Sequence, residues 1–83
     1  MRGTVRWYHP ELRMAIVELD CGFAVGAVEE GECAIGDPLT GMFRNDEVAQ
    51  LFNARTGQYV IMHVEAERIS EDQANDLLGL VRT

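Results

Sequence analysis

The chain contains no lysine: its seven basic residues are all arginines, at positions 2, 6, 13, 44, 55, 68 and 82. That excludes Schiff-base chemistry and the lysine of a phosphate-binding loop. Serine occurs once, as Ser70, at a position suited to starting a helix, which argues against a serine nucleophile. No G-x-G-x-x-G phosphate cradle is present. Cysteine is limited to Cys21 and Cys33, too few for the disulfide framework of a small secreted domain. Both read as reduced thiols packed as small hydrophobes. Joining them with His9 and His63 into a zinc site would require a twelve-residue spacing unlike the tight C-x₂₋₄-C pairs of tetrahedral zinc. Nor is there an apolar run near the roughly 18 residues of a membrane span, or an apolar leader after Met1. The sequence therefore reads as a cytoplasmic protein that is not an enzyme, binds no metal or cofactor, and has no membrane association.

What is present is 83 residues, 47% hydrophobic and 25% charged, with a formal charge of −7. That length makes residues 1–83 a single domain with one thin core. Charge is uneven. Residues 1–13 carry three arginines against Glu11, together with Trp7, Tyr8 and His9. Residues 18–37 carry six acids and no base, and residues 65–76 carry five acids against Arg68. An acidic body with one basic-aromatic edge repels phosphate backbones at long range.

Hydrophobic periodicity is mostly two. Thr4–Trp7 alternates as a half-exposed strand does, and His9-Pro10-Glu11 interrupts it as a turn. Met14–Leu19 and Phe23–Val28 read as a second and third strand about the Asp20-Cys21-Gly22 turn. Leu39–Phe43 and Val48–Phe52 follow, and Asn53–Gly57 is a hairpin loop. Gln58–Glu65 is the strongest strand, apolar on both parities, and is expected to lie centrally with little solvent on either face. His63 within it reads as a structural histidine.

At Ser70 the period changes. Ser70 and Gln73 form an S-x-x-Q capping box, with Glu71 and Asp72 at the positive end of the helix. Ala74, Leu77, Leu78 and Val81 then make one apolar stripe. Gly79 weakens the helix by about 1 kcal/mol relative to alanine, and a helix this short needs its stripe covered. It either packs on the body or docks another chain. The fold expected is mainly β: a small five- to six-stranded antiparallel OB-like barrel over residues 1–68, with an amphipathic C-terminal α-helix over 70–81. An SH3-like barrel would give similar turn spacing.

The opening Gly3-Thr4-Val5-Arg6-Trp7-Tyr8-His9-Pro10-Glu11, followed by Met14-Ala15-Ile16-Val17, resembles the first third of a cold-shock domain, the OB-fold module that binds single-stranded nucleic acid. The resemblance implies a barrel whose outer face would stack bases on aromatic side chains. Here Met14 and Ile16 stand where two of those aromatics belong. Ala24, Gly26 and Ala27 replace the expected Phe, His and Phe. Base–aromatic stacking is worth about 1–3 kcal/mol per base, so most of the affinity is lost with the platform. Trp7 remains.

Two functions follow. The first is a non-catalytic OB/cold-shock-like module for protein interaction or regulation. Its apolar face is expected to comprise Met14, Ile16, Ala24, Ala27, Leu77 and Leu78, and to meet a protein partner or a second copy. The alternative is weak binding of single-stranded RNA or DNA through Arg2, Arg6, Trp7, Tyr8, His9 and Arg13.

Overall fold

The computed structural model describes residues 1–82, and side chains through Asp76. Six strands form, β1 (Arg2–His9), β2 (Met14–Leu19), β3 (Gly22–Glu30), β4 (Pro38–Thr40), β5 (Glu47–Asn53) and β6 (Gln58–Ile69), followed by helix α1 (Glu71–Arg82). They pair in the order β1-β2-β3-β6-β5-β4, and β4 returns to β1, so the sheet closes into a barrel. Every ladder is antiparallel. A closed ring can be wholly antiparallel only with an even number of strands, and β4 supplies the sixth. It is three residues long, with Pro38 at its first position, where a missing N–H costs least.

Alternation decides which side chains fill the barrel. From β5 and β6 the inward set is Ala49, Leu51, Val60, Met62 and Val64; Val5, Val17, Ala24 and Leu39 join them from the other strands. The strand expected at Leu39–Phe43 ends at Thr40, yet Phe43 still plugs the core from the following loop, 1% exposed. At Gly26 β3 and β6 lie close together: a Cβ there would stand 2.6 Å from the His63 carbonyl oxygen. No larger residue fits without parting the strands.

Three further expectations change. β6 runs four residues past Glu65, and its last stretch pairs with the start of β3 (Phe23 with Ile69). Its outward side is not dry, since Tyr59 is 58% exposed. A small barrel has one interior, so a strand apolar on both parities must present half its side chains outside. Cys33 is buried in the core, but Cys21 is exposed in the turn after β2, against the expectation of two packed thiols.

The capping box forms as read from sequence. The Gln73 backbone N–H donates to Ser70 Oγ at 3.1 Å, and the Ser70 N–H donates to Gln73 Oε1 at 2.9 Å. These reciprocal bonds satisfy two donors at the helix end. The extension of β6 then delivers α1 to the outer face of β1–β3. Helix α1 is not long and apolar enough to cross a membrane.

Candidate functional site

A β-bulge shapes the N-terminal edge. Val5 pairs with Val17 and Trp7 with Ile16, leaving Arg6 as the extra residue. Val5 points into the barrel, while Arg6 and Trp7 both lie outward; the bulge shifts parity by one. Tyr8 therefore turns inward and packs on the main core. Trp7, Ile16 and Val25 stand side by side across three strands. Over them lies Ala74 of α1, leaving Ile16 3%, Val25 8% and Ala74 4% exposed. Trp7, Met14, Phe23 and Ile69 pack around this second cluster. A cleft of about 320 Å³ remains beside the first helical turn, lined by Arg6, Trp7, Ile16, Phe23 and the carboxylates of Glu18 and Glu71.

The apolar face proposed from sequence is thus partly redrawn. Met14, Ile16 and Ala27 share the outer surface, Met14 pairing with Ala27. Ala24 does not join them: it pairs with Val17 and is fully buried in the barrel interior. Positions 24 and 27 differ by an odd number, so one strand cannot turn both outward; Val25 takes the place assigned to Ala24. The side chains of Leu77 and Leu78 lie outside the described residues.

Much of the basic-aromatic edge is committed elsewhere. Arg6 Nε donates to Glu18 Oε1 at 2.5 Å. Arg13, at a positive φ of 54°, donates to the Val28 and Gly31 carbonyls at 3.0 and 2.8 Å, tying the β1–β2 turn to the end of β3. His9 Nδ1 accepts the Leu12 N–H at 3.1 Å, which closes the turn. Its ring lies 5.9 Å from that of Trp7. Arg2 lines a separate, open polar cleft at the barrel end, with Glu18 and Asp20. Six residues from the first thirteen positions therefore do not make one cationic surface: Tyr8 turns inward and is partly buried, Arg6 is paired with Glu18, Arg13 is bonded to backbone carbonyls, and acids flank Trp7.

Two features went unread in the sequence. The first is a buried polar latch. Asp37 is 1% exposed, and its carboxylate accepts from the Ala34 N–H at 2.8 Å, from Asn53 Nδ2 at 2.9 Å, and from Arg55 Nε. Burial pushes its carboxyl up, but the hydrogen bonds from Arg55, Asn53 and Ala34 outweigh that and hold it below the ordinary carboxylate range. Asn53 also donates to the Glu32 carbonyl at 3.2 Å, so the acidic loop after β3 is fastened to the β5–β6 hairpin. Beside the latch, burial and then the Asp37 charge push the Cys33 thiol up to about 11. It stays protonated at neutral pH, and an unreactive thiol is what a core position gives.

The second is the outer face of β5–β6. Phe52 pairs with Tyr59 across the hairpin, their rings edge to face with centroids 5.5 Å apart. Ile61 follows on β6 and Val48, 62% exposed, on β5. The hairpin loop read at Asn53–Gly57 already sets this register, so the aromatic pair could have been found by counting outward from it. Further along, His63 Nε2 lies 3.3 Å from Asp46 and Nδ1 lies 3.7 Å from Glu65.

No family model matches the chain, and neither the curated proteins nor the solved structures contain a match.

Proposed function

We propose that this chain is a non-catalytic binding module of the cold-shock-like OB type. Its former base-stacking side is given over to packing against its own helix, and its contacts are with protein. The observation that carries this reading is the position of Ala74 over Ile16 and Val25, both under a tenth exposed. A strand of nucleic acid stacked there would have to displace α1. The electrostatics agree: Arg6 is paired with Glu18, and Glu71 adds a second acid at the Trp7 cleft. A site made of few free cations releases few counterions and holds phosphates weakly.

The competing reading is weak single-stranded RNA or DNA binding at this edge, and it draws support from the neighbouring Trp7 and His9 rings. One titration separates the two. With mixed-sequence single-stranded DNA or RNA added at low salt, Trp7 fluorescence is expected to stay flat. Saturable quenching that added salt relieves, and that Trp7→Phe with Arg6→Ala reduces in a parallel gel-shift assay, would overturn the protein-binding reading.

A further inference from the structure

The geometry points to the outer face of β5–β6 as the docking site for a basic protein segment carrying apolar side chains. This deepens the protein-binding reading and rests on it.

The face has a built apolar centre. Phe52 and Tyr59 are 38% and 58% exposed and already hold each other in an edge-to-face pair. Two aromatic rings fixed in this way lose little rotamer freedom on binding, and aromatic residues carry a disproportionate share of interface energy. Ile61 continues the apolar surface along β6.

Charge selects the occupant. Glu30 of β3 pairs with Ile61, which brings a carboxylate-bearing position to one margin. At the far end of the same row, Asp46 and Glu65 bracket His63. Arg55, in the hairpin loop, is held by Asp37, and Arg44 lies in the exposed loop before β5. An acidic rim along one margin and at the far end of the face, beside its aromatic pair, complements arginine or lysine interspersed with apolar residues, and opposite charge also speeds encounter. A second copy of this chain fits poorly, because each copy brings −7 of formal charge and the same acidic rim. Strand addition is closed off as well, since all six strands are paired around the ring. The contact must be made by side chains on the barrel wall.

The test uses the full chain labelled with ¹⁵N and three probes: a twelve-residue lysine–leucine peptide, the glutamate–leucine peptide of equal length, and a ten-residue oligothymidylate. The basic peptide is expected to shift amide signals at positions 48, 50, 52, 59 and 61, and added salt should weaken it. The double variant Phe52→Ser/Tyr59→Ser should bind it roughly tenfold more weakly with an unchanged Trp7 emission spectrum. Glu30→Gln/Glu65→Gln should lose a smaller share. Shifts from the acidic peptide matching those from the basic one would overturn the charge assignment and leave protein binding standing. Shifts on this face from the oligothymidylate alone would overturn both. Undiminished affinity in the double aromatic variant, or no shifts on this face from any probe, would overturn the site.

Discussion

The barrel wall has two apolar outer faces, and they are treated differently. On β1–β3, Trp7, Ile16, Phe23 and Val25 lie under the first turns of α1, and Ile16 is 3% exposed. On β5–β6, Val48, Phe52 and Tyr59 stand between 38% and 62% exposed. Both come from the same cause. A closed six-stranded ring fills its interior with one parity of each strand, and whatever apolar residues occupy the other parity need a separate cover. Among the described residues there is one helix, and the extension of β6 to Ile69 carries it to the first face. Exposed apolar residues scattered singly need no explanation, but Phe52 and Tyr59 are contiguous on the sheet wall, and the docking proposed for this face starts from that pair.

Replacing one residue at the centre of each face should break the symmetry between them most sharply. Ile16→Ala removes a buried side chain beneath Ala74 and should cost about 3 kcal/mol, in the range for large-to-small core changes. Phe52→Ala removes a larger side chain but a wetter one. It should cost no more than about 1 kcal/mol, mostly the lost pairing with Tyr59. Urea unfolding followed by Trp7 fluorescence reads both. Equal losses would mean that the β5–β6 face is held as tightly as the covered one, and the distinction would fall.

The bare face depends on what lies behind it, because Asn53, one residue beyond Phe52, belongs to the Asp37 latch. Asp37→Asn keeps the shape but gives up the carboxylate, and should cost about 2 kcal/mol at neutral pH, the scale of hydrogen bonds to a charged group. The sign of its pH dependence follows from the lowered carboxyl. The folded state binds the proton less tightly than the unfolded chain, so the stabilisation is complete above the ordinary aspartate value of about 4. It is lost as pH falls below that toward the folded value. The gap between wild type and Asp37→Asn should therefore narrow between pH 5 and pH 2. A gap constant across that range would mean that the charge contributes nothing.

How legible each face was depends on its signal. The strands and the capping box at Ser70 were readable, because period-two alternation and the S-x-x-Q spacing are local. Sheet faces follow from odd and even positions, so Ala24 and Ala27 lie on opposite faces of β3, which the family resemblance alone does not reveal. The bulge at Arg6 was not readable, since an extra residue in β1 shows only when its partner strand is known. That one residue decides that Trp7 faces out and Tyr8 faces in. The latch was hidden for a similar reason: Asp37 and Arg55 are far apart in sequence, and one buried aspartate looks like any other acid in a run of six. The Phe52–Tyr59 pair was within reach, because the hairpin loop between them fixes the register.

The smallest expected effect tests whether α1 is what covers the first face. Ser70→Ala removes the acceptor for the Gln73 N–H without touching any residue of the apolar cluster, and loss of such a cap costs about 1 kcal/mol. Because Ala74 is the buried contact nearest the cap, and its own N–H bonds to the Ser70 carbonyl at 2.9 Å, the helix should loosen from its first turn. Trp7, half-buried at the margin of the cluster, should then become more accessible to acrylamide quenching, while Tyr59 on the other face is unaffected. Backbone amides of the first helical turn should exchange hydrogen faster, and those of β5 and β6 at their former rate. If instead protection falls evenly around the barrel, the helix is part of one cooperative unit, and its cover of the first face is no more separable than the core itself.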